Sequence, residues 1–389
     1  MTTDVVQVRK LPDVVFFQEG PGLRAWQWTE EGMKVINGTN ILLDGTIDVS
    51  NTDKFISQSE FEARYRHFEI SDGDIVLSSS GTLGKVARIR AEHLPLMMNT
   101  SVIRFCSKDP ETLHDGYLFA FLRSPLFQAL IRAFAVGGVQ QNFGPVHLKQ
   151  IEIPIPPLHL QRGIADILSA YDDLIENNRR RMALLEDAAR QLYREWFVRL
   201  RFPGHEHTRI TNGVPEGWER CTVANLLAKI EAKPRVPKEE YLPDGPIPCV
   251  DQSAEFIGGY TENTDAAYSA PLPIVVFGDH TRTLKYVDFE FARGADGTQL
   301  IFPNDDRIST EYLYLALKEI DLSNYFYARH FKYLKVQEIF LPKRSLVQEF
   351  GTCAKSVFEQ ISTLRNLNRK LRAARDLLLP RLMSGEIAV

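Results

Sequence analysis

Apolar positions recur in alternating steps of four and three along two long stretches of this chain. The first seam runs through Ile164, Leu168, Tyr171, Ile175, Asn178, Met182, Leu185, Ala189, Leu192 and Trp196. The second runs through Phe350, Ala354, Val357, Ile361, Leu364, Asn368, Leu371, Arg375, Leu378 and Leu382. Spacing near 3.5 residues predicts the narrow seam of a coiled coil rather than the broad apolar face of a surface helix. With helices over about 161–200 and about 346–385, antiparallel pairing sets Asn178 opposite Asn368, where a buried amide pair fixes register. The competing reading is two unrelated amphipathic helices, each lying on its own domain.

Ahead of each seam the pattern changes to short apolar runs broken by Gly, Asp and Asn. "GDIVLSSSGTLGKVARI" and "NTSVIRF" belong to the first half; "GPIPCVDQS", "PIVVFGDHTRTLKYVDF" and "GTQLIF" belong to the second. Such runs predict an irregular sheet rather than a doubly wound one. A helical segment follows in each half, "GYLFAFLRSPLFQALIRAFA" and "TEYLYLALKEI". A shared phrase then closes both: "FGPVHLKQIEIPIPPL" from Phe143 and "FKYLKVQEIFLPKRSL" from Phe331, at a constant offset of 188 residues. The expected fold class is therefore α+β, with two β-rich domains separated by two long antiparallel coiled-coil helices in a pseudo-two-fold internal repeat. The expected boundaries are 1–157, 158–210, 211–344 and 345–389: domain, helix, domain, helix.

Length and charge narrow the function. A chain of 389 residues is too long for one ordinary core. No apolar run reaches the roughly 20 residues of a membrane helix. The start "MTTDVVQVRK" lacks the apolar core of a secretory signal. Cys106, Cys221, Cys249 and Cys353 form no CxxC pair, so a reduced, cytoplasmic protein without structural zinc is expected. The net charge of −4 supplies no global basic footprint for phosphate. A DNA-binding role then requires local basic clusters, or a partner that contributes phosphate contacts.

Catalytic patterns fail one by one. There is no "NPPY" or "DPPY" loop for a target amino group. "SSSGTLGKV" lacks the Gly and the hydroxyl that a phosphate loop needs, since Ser79 and Val86 stand in those places. His205 and His207 have no further metal ligand at useful spacing. A loose carboxylate–lysine pattern, "PEGW" near Pro215 followed by "EAK" from Glu231, is too common to define a nuclease. No catalytic residue and no metal ligand are assigned.

"QIEIPIPPLHLQRGIADILSAYDDLIENNRRRMALLEDAARQLYREWF" resembles the central conserved region of type I restriction–modification specificity subunits. "NLNRKLRAARDLLLPRLMSGEI" resembles their distal conserved region, and "FFQEGPGLRAWQW", "GDIVLSSSGTLGKV" and "VPEGWERCTV" resemble parts of their variable regions. The resemblance implies a non-catalytic subunit in which each variable half is a target-recognition domain reading one part of a bipartite double-stranded DNA target. It implies two modification (methyltransferase) subunits docked on the helices and carrying S-adenosylmethionine. Restriction subunits using ATP and Mg complete such an assembly. Helices of about 38 residues make a rod of roughly 57 Å, against roughly 34–36 Å for one DNA turn. Helix length would therefore fix the gap between half-sites.

Base recognition needs paired donors and acceptors, with phosphate contacts for positioning. Loops at comparable places in the two halves offer them. The first half presents Ser78, Ser80, Thr82 and Lys85, and then Gln140, Gln141 and Asn142; the second presents His280, Thr281, Arg282, Thr283 and Lys285, and then Arg329, His330, Lys332 and Tyr333. Arg179, Arg180 and Arg181 are expected to meet a partner subunit. Tyr193, Trp196 and Phe197 are too many aromatics for a two-helix seam, and pack either into a recognition domain or against the modification subunit; Trp196 and Phe197 are carried as partner-binding candidates. A coiled-coil scaffold with two protein- or glycan-binding domains is the main alternative, and a solitary nuclease or methyltransferase a third.

Overall fold

The computed structural model describes residues 6–42, 45–49, 52, 54–134, 143–295, 297–325 and 329–389. The fold is α+β. Two compact units divide the chain: Met1–Ile175 with Arg369–Val389, and Glu176–Asn368.

In the first unit, Gln7–Lys10 pairs antiparallel with Glu152–Ile155, inside the first closing phrase. A four-stranded antiparallel sheet runs in the order Val15–Glu19, Val102–Ser107, Ile75–Ser78, Val86–Arg88. A second sheet runs Phe55–Ile56, Met33–Ile36, Leu96–Met98, Glu69–Ile70, with its two central strands parallel. The period-2 alternation of strand Ile75–Ser78 joins the layers. Ile75 and Leu77 face Tyr117, Leu118 and Phe121 of helix Asp115–Arg123. Val76 points the other way, to Ile36, Ile70 and Met98. The first core also takes in Ile164 and Leu168 from the start of the first long helix, and Leu379 and Leu382 from the end of the second.

The second unit has strand pairings of a similar kind. Glu219–Thr222 pairs antiparallel with Glu338–Leu341. A sheet ordered Gly259–Thr261, Ile247–Val250, Phe291–Arg293, Ala267–Tyr268 again has a parallel central pair. Ile274–Gly278 lies between Leu284–Val287 and Thr298–Ile301. Val275 and Phe277 face the core that contains Tyr312, Leu313 and Leu315 of helix Thr310–Lys318, whereas Ile274 and Val276 face Val250, Tyr268 and Phe291. That helix starts on a Ser309 cap, whose hydroxyl accepts from the Tyr312 amide at 3.1 Å.

The long helices are Leu158–Tyr193 and Arg344–Met383. Pro156 and Pro157 precede the first, where a missing amide costs a starting helix nothing. Within the first unit, Asp172 accepts from Arg375 Nη1 at 2.6 Å and from Arg123 Nη1 at 2.8 Å. Within the second, Asn178 meets Asn368 at one level, and Tyr193 meets Phe350 with ring centroids 6.0 Å apart at another. Position rises along one helix as it falls along the other, so the helices are antiparallel in this unit. Among the described residues, no helix is long and apolar enough to cross a membrane.

Candidate nucleic-acid interface

In the second unit, three chain reversals come together beyond the ends of parallel-pair and hairpin strands. Strand Ile247–Val250 leads into Asp251, whose Oδ1 accepts from the Ser253 amide (2.9 Å) and hydroxyl (2.5 Å), forming an Asx turn. Strand Ile274–Gly278 leads into Asp279, His280, Thr281 and Arg282. The Gln252 side chain accepts from the His280 amide at 3.1 Å, and the Thr281 hydroxyl donates to the Gln252 carbonyl at 2.7 Å. A Cβ on Gly278 would sit 2.2 Å from Thr281 Oγ1, so the close approach of these loops demands glycine there. Asp279, 6% exposed, donates its amide to the Gly297 carbonyl (2.6 Å) and accepts the His330 amide at its own carbonyl (2.9 Å). Its carboxylate accepts the Phe331 amide at 2.7 Å.

The first unit holds the same frame with different side chains. Asn37 follows strand Met33–Ile36 and accepts from the Thr39 amide (2.8 Å) and hydroxyl (2.5 Å). Ser79 follows strand Ile75–Ser78; its amide donates to Ser101 (2.9 Å) and its carbonyl accepts from Phe143 (3.0 Å). The hairpins close alike. Ser78 bonds Lys85 as Gly278 bonds Thr283, and the amides of Gly84 and Arg282 return to Ser78 and Gly278. Gly84 and Arg282 both have left-handed backbones, φ +81° and +61°.

Against this frame the expected DNA-facing residues separate. His280, Thr281, Arg282, Arg329 and Lys332 are exposed in the second unit, with Thr283 and Tyr333 half-buried; Tyr333 stacks on Tyr325 at 4.2 Å. In the first unit Thr82 is exposed, and Ser80 and Lys85 are half-buried. Gln140, Gln141 and Asn142 lie outside the described residues.

Three expectations need correction. Ser78 is fully buried; its hydroxyl donates to the Thr82 carbonyl (2.7 Å) and accepts the Lys85 amide (2.9 Å), so it builds the turn. Lys285 is 4% exposed; its Nζ donates to the carbonyls of Asp251 (2.7 Å) and Glu255 (2.5 Å) and lies 3.8 Å from Asp251 Oδ1. Burial pushes its pKa down to about 8, against the pull of Asp251 and Glu255. His330 is also buried, its backbone amide bound to Asp279. Asp251, Gln252 and Asp279 were missed because their role rests on contacts between loops distant in sequence. The Asx-x-Ser/Thr triplet after an apolar run, "NGT" and "DQS", was the available local signal.

The partner-binding candidates separate as well. Arg180 and Arg181 are exposed and Arg179 is half-buried; Arg180 and Arg179 pair with Glu176 at 3.1 and 3.8 Å. Phe197 is 1% exposed, its ring 4.8 Å from Tyr312 and 5.0 Å from Phe350, so it serves the second core and not a partner. Half-buried Trp196 packs on Phe350 at 5.7 Å. Among the described residues, no group of three His, Cys, Asp or Glu side chains is placed to hold a metal ion.

The chain is similar to known proteins in sequence and in fold. The family model for the type I restriction modification DNA specificity domain matches residues 4–187. The type I restriction enzyme MjaIX specificity subunit of Methanocaldococcus jannaschii is 26% identical over 345 residues, spanning 82% of this chain and 78% of that protein. The EcoKI specificity subunit of Escherichia coli is 28% identical over 114 residues, 29% of this chain and 25% of its own. In fold, the S subunit of a type I restriction–modification system from M. genitalium superimposes with a TM-score of 0.50 at 18% identity, covering 98% of this chain and 97% of that one. The chain is thus similar to type I restriction enzyme specificity subunits over most of its length, and to their DNA specificity domain over residues 4–187.

Proposed function

We propose that this chain reads a split double-stranded DNA sequence, one part with each unit, and contributes specificity rather than catalysis. The observation that supports this reading best is the recurrence of one loop frame around Ser79 and around Asp279. Each frame presents its own side chains, so each recognises different bases through one geometry. On this reading the two halves are copies of one reader, with limits 1–157 and 211–344, and the helical segments 158–210 and 345–389 fix the gap between half-sites.

Modification subunits then dock on the helices and bring S-adenosylmethionine, restriction subunits bring ATP and Mg, and the assembly works in the cytoplasm. The net charge of −4 fits a reader whose partners supply much of the phosphate contact. The test is methylation-sensitive sequencing of a host that expresses this chain with its modification subunits. A split motif with a gap of constant length is expected; a continuous motif, or none, defeats the reading.

A further inference from the structure

Both units use the residue after the inner hairpin strand to tie the frame together, but only the second puts a carboxylate there. Ser79 makes its two cross-loop bonds with backbone alone, and its hydroxyl donates to the Thr100 carbonyl at 3.1 Å. Asp279 bonds Gly297 and His330 through its backbone and adds a third bond, its Oδ1 accepting from the Phe331 amide. Phe331 opens the short helix Phe331–Lys335, and its ring lies 5.9 Å from Phe277 on the strand leading to Asp279. One buried carboxylate thus joins the hairpin carrying exposed His280, Thr281 and Arg282 to the segment carrying exposed Arg329 and Lys332.

A negative group beneath a surface that meets phosphate is unfavourable unless it is needed there. We propose that Asp279 is the positioning residue of the second reader: through Phe331 it sets the angle between the two loops that meet the bases, without touching DNA itself. This rests on the proposed DNA-reading function and names a residue that controls its specificity.

The first unit supplies the test variant. Since the frame stands on a serine at position 79, Asp279→Ser removes only what is particular to the second reader. Asp279→Asn keeps an acceptor for the Phe331 amide. The full chain, assembled with its modification subunits, is titrated with duplexes carrying the motif found by methylation sequencing, and with single-base mismatches in either half. Asp279→Ser is expected to cut discrimination about tenfold in one half-site, within the range of one lost base contact. Discrimination in the other half and the salt dependence of binding stay unchanged, since no phosphate contact is lost. Asp279→Asn restores discrimination. Unaltered discrimination in Asp279→Ser overturns the proposal. So does equal loss in both half-sites, or an unfolded chain, since either makes Asp279 a general support of the fold. If the unsubstituted complex shows no split motif, it is the DNA-reading function that fails.

Discussion

Asn178 Nδ2 donates to Asn368 Oδ1 at 2.9 Å, and the two residues are 5% and 3% exposed. Neighbouring seam residues Ile361 and Leu364 are apolar and buried, so this amide pair interrupts a greasy line. Leucine at one of the two positions leaves the opposite amide buried without its partner, which costs about 1–3 kcal/mol. Leucine at both replaces the pair by apolar contact and is expected to raise the melting temperature, while allowing the helices to slide by a heptad. Melting curves of Asn178→Leu, Asn368→Leu and the double variant check this. A double variant that melts below both singles would show that the amide bond contributes more than the apolar packing replacing it.

Asp172 offers a second test in the other unit. Its carboxylate holds Arg375, whose side chain is 8% exposed, and Arg123, 12% exposed. Removing it takes the carboxylate from Arg123 and leaves Arg375 only its pairing with the more exposed Asp376 (2.9 Å), and loss of one partner from a buried ion pair costs about 3–5 kcal/mol. Asp172→Ala should therefore lower stability by about 3 kcal/mol in denaturant titration, a fall that Asp172→Ala in an Arg375→Met background should reduce. Equal losses in both backgrounds would separate Asp172 from Arg375.

The limits of reading this sequence are physical. A long helix is legible because heptad spacing is a local property, repeated often enough to outweigh chance. Strand Ile75–Ser78 is legible because a short apolar run between Asp74 and the Gly81 turn has few other fates. Burial of a polar residue in a loop is not local. Lys285 follows Leu284 in a stretch rich in polar and basic residues, and only Asp251 and Glu255, some thirty residues earlier, show that its ammonium is enclosed. Phe197 and Trp196 are neighbours with the same aromatic character, yet one is core and the other half-exposed. What distinguishes them is the position of Tyr312 and Trp218, 4.8 and 5.8 Å from the Phe197 ring, which no local pattern encodes.

Arg282 has φ +61° where the corresponding turn in the first unit has Gly84. A left-handed backbone costs a non-glycine residue about 1–2 kcal/mol, and glycine's looser unfolded state returns part of that. Both variants lose the bond from Arg282 Nη1 to the Leu322 carbonyl (3.2 Å), but Arg282→Gly relieves the strain and is expected to melt above Arg282→Ala, which keeps it. Both variants lose the guanidinium and should weaken DNA binding alike. If only the glycine variant loses affinity, the backbone of that turn matters to recognition more than the side chain.

Lys285 gives the pH test. Its ammonium is buried with a pKa of about 8, against an ordinary value near 10.5. Between those values the unfolded chain keeps a proton that the folded chain has shed. The unfolded state then binds more protons, so this group makes stability rise with pH across the window. Below pH 8 both states are charged, and the folded chain bears the full cost of enclosing the ammonium between Asp251 and Glu255. Lys285→Met removes the titration while keeping an unbranched apolar stem, though it leaves the two carbonyls without their donor. Melting temperatures of the parent and variant chains at pH 7.5 and pH 9.5 isolate the effect, because every other titrating group is common to both. The parent chain should gain on the variant as pH rises. If the difference between them is flat across that interval, Lys285 titrates normally and its site is wetter than the geometry of Asp251 and Glu255 implies.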